Sequence, residues 1–403
     1  MEKTVDSLYG WLIIILGGFT SIIAVGIPNM CMPVLFDEIS RELGLNLVQI
    51  GFAWGMGGLA SMITSPFGGM IGDRFGTKRT LFVGCLLAGM ANACRGLSPN
   101  FAGLAVGMFL FGAVQNTMVV NLHKCSGIWF SGKRVVIANG IIATGIALGM
   151  MLGAMLSDSV MSPFLGGWRN VLFVYGAASV FIGCLWGLTK REPVEYEKAK
   201  SIDSPPFRQS LSRVLSIKEI WLIGVANCCY GGGLLGVVGY LPLYLRGIGW
   251  EPASADGALA AMSGAGMLAA IPLTLLSGKL GLRKGVIIPV LFIALISLIL
   301  LPQFQGFLVW PLVILFGSAR DGYYAILMTM VIEARGVGAT YAGTAMGIIL
   351  SLGNFGAFIA SPSGNRLAVI NPQYAFFFWA ALLGISILIF RTVRETGRAR
   401  AET

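Results

Sequence analysis

Long apolar stretches recur along the chain, separated by short polar segments. Their length suits the ~20 residues that a helix needs to cross a bilayer. Twelve such runs are expected, over residues 10–35, 46–70, 80–98, 101–125, 135–157, 169–189, 219–245, 254–278, 284–302, 307–332, 338–361 and 373–391. Several contain Gly or Pro, which membrane helices tolerate and which often mark helices that line a cavity. The one long polar stretch, 190–218, holds Pro193, Pro205 and Pro206 among mixed charges. It separates the runs six from six. The expected organisation is an N-terminal six-helix bundle over 1–189, a cytoplasmic linker over 190–218 and a C-terminal six-helix bundle over 219–403. The expected fold class is an all-α membrane protein.

Composition agrees. The 403 residues are 56% hydrophobic and 11% charged, whereas soluble domains carry about 25% charged residues. The net charge of +10 would suggest a nucleic-acid partner in a soluble protein, but here cytoplasmic loops explain it more simply. Threading twelve helices places 21 of the 28 Lys and Arg on the side that holds both termini. The opposite loops receive Arg41, Arg95, Arg169, Arg246 and Arg366, and Lys124 and Arg320 remain inside helices. That bias makes the terminal side cytoplasmic and predicts a multi-pass protein of the cell membrane. The seven cysteines form no C-x-x-C pair and read as small core residues. One histidine, no H-E-x-x-H, no P-loop and no nucleophile elbow leave hydrolytic or redox catalysis without support, and no cofactor or metal is expected.

Between the second and third runs stand Gly69, Gly72, Asp73, Arg74, Gly76, Lys78 and Arg79. Gly69 and Gly72 remove bulk where a neighbouring helix can approach, and Gly76 permits a sharp turn. Asp73 can take a cationic partner or sit near a helix N-terminus. The pattern G-x-x-x-D-R-x-G-x-K-R resembles the signature loop of the major facilitator superfamily. A second, degenerate copy follows 205 residues later, where Lys279, Gly281, Arg283 and Lys284 fall on Arg74, Gly76, Lys78 and Arg79. The glycines at 140, 145, 149 and 153 are similarly echoed at 343, 347, 353 and 356. The resemblance implies two pseudo-symmetric bundles that rock about a central site. It also implies that Gly69, Asp73, Arg74, Gly76, Lys78 and Arg79 gate the cytoplasmic side.

Charges deep in membrane helices are costly and mark function by default. Arg320 lies near the middle of the tenth run and stays cationic at any relevant pH. Its guanidinium fork can grip a carboxylate by two parallel hydrogen bonds. The alternative is an Arg–Asp pair with Asp321 that only locks helices, although the two neighbours point about 100° apart on a helix and need not pair. Tyr324 shares the face of Arg320. The 205-residue offset sets Gln115 and Asn116 over Arg320 and Asp321, in the layer where transporter sites lie. Asn29, Pro28, Trp54, Tyr230 and Tyr240 are further candidates for cavity lining.

The fourth run continues through His123 and Lys124, which fall on faces similar to that of Asn116. Lys124, Trp129, Phe130, Lys133 and Arg134, with Ser131 where a proline is usual, resemble the fourth helix of the anion:cation symporters. In those relatives the basic residue takes part in substrate or proton coupling. Gly353, Asn354 and Gly356 resemble part of the nitrate/nitrite porter signature. Asp37, Glu38 and Arg41 resemble the acidic cluster after helix one of monocarboxylate and oxalate/formate porters. The reading that results is a secondary transporter of a small anionic solute, a mono- or dicarboxylate, with protons as co-substrate. Arg320, Gln115, Asn116, Tyr324, Asn354, Asn29 and Tyr230 would bind substrate, and Asp321, His123 and Lys124 would couple charge. A functional monomer in the lipid bilayer is expected. Efflux of amphipathic compounds and inorganic-anion transport are the alternatives.

Overall fold

The computed structural model describes residues 7–130, 133–189 and 207–397. The expected linker lies outside the described residues over 190–206, and so do Lys3 and Ser131. The described residues contain helices and no strand. In chain order the helices are α1 (Ser7–Thr20), α2 (Ile27–Leu43), α3 (Leu47–Phe75), α4 (Thr77–Gly96), α5 (Phe101–Trp129), α6 (Lys133–Leu156), α7 (Ser162–Leu165) and α8 (Trp168–Leu188). Then follow α9 (Phe207–Leu215), α10 (Lys218–Gly247), α11 (Pro252–Leu280), α12 (Lys284–Leu300), α13 (Val309–Glu333), α14 (Gly338–Ile370) and α15 (Pro372–Thr392). Every expected apolar run coincides with a helical stretch. Among the described residues, ten stretches are long and apolar enough to cross a membrane. The two that fall short of that test, α4 and α13, both carry charges.

Contacts divide the chain into two compact units, Met1–Leu43 with Ile63–Asp203, and Gly44–Met62 with Ser204–Thr403. The expected division placed all of 1–189 together, so the N-terminal part of α3 is assigned differently. Glycines give the physical reason. A Cβ added at Gly51 would lie 2.9 Å from the Ser361 carbonyl, at Gly55 2.9 Å from that of Phe358, and at Gly58 3.0 Å from that of Asn354. The three glycines therefore let α3 lie backbone to backbone on α14. Trp54 Nε1 donates to the Leu235 carbonyl at 2.9 Å, and Asn365 Nδ2 to that of Leu47 at 2.8 Å.

The first unit uses the same device. A Cβ would come within 2.8 Å of the Gly18 carbonyl at Gly145, 2.6 Å of that of Ile22 at Gly149, and 2.6 Å of that of Ile27 at Gly153. These glycines of α6 seat it on α1, α2 and the π-helical turn Ser21–Gly26 between them. Beside this seam, Ile14, Leu81, Leu122, Ile142 and Trp186 form the apolar core. The Trp186 indole donates to Thr20 Oγ1 at 2.8 Å, so the indole N–H itself is satisfied.

In the second unit, the echoed glycines pack α14 on α10. A Cβ at Gly231 would meet the Gly353 carbonyl at 2.7 Å, and one at Gly232 the Gly356 carbonyl at 3.0 Å. Gly140, Gly343 and Gly347 have no neighbour within 4 Å, so the glycine echo is not a packing repeat at those positions. All seven cysteines are free, and Cys94 and Cys184 are exposed rather than in the core.

The second copy of the signature loop is built around Glu395. Its carboxylate accepts the backbone N–H groups of Arg283 (2.8 Å), Lys284 (3.3 Å) and Gly285 (3.2 Å), capping α12. Arg283 forks onto Glu333 at 2.9 and 3.1 Å. Lys284 Nζ donates to the carbonyls of Arg391 (2.5 Å) and Val393 (3.0 Å). Burial acts to raise the Glu395 carboxyl, but the N–H groups of Arg283, Gly397, Lys284 and Gly285 outweigh it and hold it below the usual range.

Two predictions follow from this packing. Gly149→Leu is expected to cost about 1–3 kcal/mol or more by overpacking, whereas Gly140→Leu leaves the melting temperature of the detergent-solubilised protein almost unchanged. The depressed Glu395 carboxyl stabilises the fold above its unfolded value, about 4.3, and that contribution fades as pH falls through the folded value. Glu395→Gln is therefore expected to lower the melting temperature at pH 7, with the deficit shrinking below about pH 4.

Candidate functional site

Arg320 sits in the middle of α13, and its guanidinium is almost wholly buried. It pairs with its own neighbour: Nε donates to Asp321 Oδ1 at 2.9 Å and Nη2 to Oδ2 at 3.0 Å. The long arginine stem reaches around the helix to close the angle that separates the two positions. Nη1 makes no hydrogen bond among the described residues. The two side chains differ in access, with Arg320 7% and Asp321 29% exposed. Room for the carboxylate comes from α11, where a Cβ at Gly266 would lie 2.7 Å from Asp321 Oδ2.

Tyrosines wall the pair. Tyr230 of α10 is buried, directs its hydroxyl to the Arg320 carbonyl at 3.4 Å and stacks on Tyr323 at 3.8 Å between ring centroids. The Tyr323 hydroxyl donates to Asn227 Oδ1 at 3.4 Å, and the Asn227 amide in turn donates to the Ile349 carbonyl at 2.9 Å. Tyr324 meets both rings edge-on, 5.7 Å from Tyr230 and 5.4 Å from Tyr323. Arg320, Asp321, Tyr230 and Tyr324 thus form one cluster. Asn354 stands on α14 with its carbonyl against Gly58 of α3.

In the first unit, Asn29 Nδ2 donates to Gln115 Oε1 at 2.7 Å, which joins two candidates. Asn116 Nδ2 reaches Ser65 Oγ at 3.1 Å. Lys124 Nζ donates to the Gly69 carbonyl at 2.6 Å and to Asp73 Oδ2 at 2.8 Å. Asn116 and Lys124 therefore both face α3. His123 does not share that face, for its Nδ1 lies 3.0 Å from Asn139 Oδ1 on α6. In the signature loop, Gly76 adopts φ +84° and opens α4. Lys78 donates to the Thr189 carbonyl, and Arg74 lies 5.5 Å from the Phe75 ring.

Two buried cations escaped the sequence reading because they were assigned to loops. Arg95 lies in the last turn of α4, wholly buried, 4.0 Å above the Phe111 ring. It donates to the Pro28 carbonyl at 3.1 Å and to Asn92 Oδ1. Asn92, one turn earlier on the same face, was the signal that could have revealed it. Arg246 ends α10 and pairs with fully buried Asp256 near the start of α11. An Arg and an Asp ten positions apart, across a turn that holds Gly247 and Gly249, carried that information.

The pair leaves the buried Arg320 guanidinium neutralised by the more accessible Asp321 carboxylate. On the same geometry, Asp321→Asn leaves the guanidinium buried without a counter-charge. Breaking a buried pair in this way costs about 3–5 kcal/mol. The double variant Arg320→Gln with Asp321→Asn is expected to recover most of the melting temperature that the single variant loses.

A family model described as the Major Facilitator Superfamily matches residues 14–361. The 3-(3-hydroxy-phenyl)propionate transporter of Escherichia coli (strain K12) is 25% identical over 383 residues, 85% of this chain and 88% of that protein. A probable sulfoacetate transporter of Cupriavidus necator is 24% identical over 55% of this chain and 54% of that protein, and the hexuronate transporter of Bacillus subtilis (strain 168) 25% over 54% and 53%. These last two are matched over about half their length. Among solved structures, the nucleoside transporter NupG aligns with TM-score 0.77 at 14% identity, over 94% of this chain and 99% of that one. A bacterial homologue of the human lysosomal transporter Spinster aligns with TM-score 0.74 at 15% identity, over 98% of both.

Proposed function

The chain belongs to the Major Facilitator Superfamily, and from that premise we propose that it carries a small anionic solute, a mono- or dicarboxylate, together with a proton by alternating access. The family and its relatives are transporters and not enzymes, and the protein is a multi-pass membrane protein. The curated relatives named above carry carboxylates or a sulfonated acid by name. The single observation that carries the proposal is the Arg320–Asp321 pair, in which the buried guanidinium is held by the more exposed carboxylate.

The chemistry follows from charge balance. While Asp321 is ionised it satisfies the fork of Arg320, and an incoming carboxylate gains nothing by displacing it. Protonation of Asp321 removes the competitor and leaves an arginine that must find another anion. The substrate then takes the two parallel hydrogen bonds that Asp321 gives up, and anion and proton are bound together. Tyr230 and Tyr324 shape the site around the fork. Gln115 paired with Asn29, Asn116 on Ser65, and Asn354 are proposed to contribute further substrate contacts during the cycle. His123 on Asn139 is proposed as a proton carrier.

The Lys124–Asp73 bridge is proposed to hold one conformational state. It ties α5 to the signature loop, together with the Gly69 carbonyl. Breaking and remaking it is inexpensive, since such half-exposed pairs are worth about 0–1 kcal/mol. Gly69, Arg74, Gly76, Lys78 and Arg79 complete that gating segment in this reading. Twelve membrane spans in two six-helix bundles, both termini in the cytoplasm of a cell-membrane protein, and a functional monomer are proposed with it.

The test is binding as a function of pH. Thermal-shift titrations against a panel of carboxylates, sulfonates, nitrate and amino acids are expected to show an anion whose affinity falls as pH rises, because anion and proton bind together. Asp321→Asn is expected to bind the same anion with little pH dependence. Arg320→Lys keeps the charge without the fork and is expected to weaken binding at least about tenfold, the ratio for one lost charge-assisted bond. Undiminished binding in Arg320→Lys and Arg320→Ala would remove the anion site and favour efflux of amphipathic compounds.

A further inference from the structure

We propose that the groove bounded by α3, α4 and α5 in the first unit binds an anionic phospholipid, with an acyl chain along the groove and the phosphate on Arg79. The groove has a volume of about 530 Å³. Its outer rim is apolar and outward-facing, with Ile71 37%, Phe75 53%, Val83 47% and Leu87 43% exposed. Two of the threonine hydroxyls along it are taken by their own helices: Thr80 donates to the Gly76 carbonyl at 2.8 Å and Thr117 to that of Ala113 at 3.1 Å. The wall therefore offers hydrocarbon to its occupant, and the solvent on the outside of a membrane helix bundle is lipid.

Among the described residues, Arg79 is the one charged residue that lines this groove. It is exposed, and no ion pair or hydrogen bond engages it among the described residues. It stands at the end where α3 turns into α4, and from Arg79 to Leu87 the α4 axis rises roughly 12 Å. The cation thus lies at one end of an apolar channel, which is the layout of a lipid headgroup above its chain. Asp73, six residues before Arg79 in the chain, is taken by Lys124, and the charge that lines the groove is that of Arg79. A guanidinium matches a phosphate by two parallel bonds.

The internal repeat supplies a built-in comparison. A second apolar groove of about 690 Å³ lies among α11, α12 and α13. Its Ala269, Ser318 and Ala319 fall 205 residues after Thr64, Ala113 and Val114 of the first groove. The residue equivalent to Arg79 is Lys284, which does not line that groove and is spent on the Arg391 and Val393 carbonyls. Two grooves of related build thus differ in whether a free cation stands at the mouth, and the headgroup preference belongs to the first.

Native mass spectrometry of delipidated protein with phosphatidylglycerol and phosphatidylcholine of identical chains tests this. A preference for phosphatidylglycerol of about fivefold is expected, the ratio that roughly 1 kcal/mol per surface cation gives. Arg79→Gln should bring it close to one, Arg79→Lys should keep most of it, and Val83→Trp, which fills the groove, should weaken both lipids. An undiminished preference in Arg79→Gln, or unchanged retention in Val83→Trp, overturns the site. Glycerol phosphate competing as well as the whole lipid would overturn the acyl-chain assignment and leave a free-phosphate site.

Discussion

The arrangement of the second unit depends on one charge that cannot be neutralised. Arg320 keeps its proton at any relevant pH, so α13 can exist in a membrane only if an anion is always at hand. Asp321 supplies it, Gly266 leaves space for the carboxylate, and Tyr230, Tyr323 and Asn227 pack α10 against the same turn. A helix that carried the arginine without the aspartate would bear an uncompensated charge, and one that carried neither would need no site. The pairing therefore works as structure, and under the proposed function any anion that replaces Asp321 must meet the same requirement.

Close helix packing lets the charges be placed this way. With lipid outside, helices gain little from burying apolar surface against one another, and association rests on contact and hydrogen bonding. The glycines at 145, 149 and 153 bring α6 onto the backbone of α1 and α2, and those at 231, 232, 353 and 356 do the same for α10 and α14. The glycines at 51, 55 and 58 bring α3 onto α14, which is why its N-terminal part is counted with the second unit. Such seams allow the same helices to carry polar side chains elsewhere, since the backbone contacts alone hold them together.

Much of the fold was legible from apolar run length alone, because a spanning helix advertises itself over twenty residues. The turn at Gly76 was legible too, since glycine readily adopts the positive φ found there. Side-chain direction was harder to read. Asn116, His123 and Lys124 lie on one helix, yet His123 turns to α6 while the other two turn to α3, a choice that the neighbouring helices make. Arg320 and Asp321 looked separated by helical geometry, and the length of the arginine stem undid that separation. Arg95 and Arg246 were hidden by a counting rule that treats a cation near a helix end as a loop residue, although burial inside the unit decides the matter.

Under the proposed function, anion binding and protonation of Asp321 are one event at Arg320. Calorimetric titration of the identified anion near neutral pH, in two buffers of different ionisation enthalpy, measures the protons taken up on binding. The account predicts uptake of about one proton per anion, and none in Asp321→Asn. Binding by the parent protein with no proton uptake would contradict it.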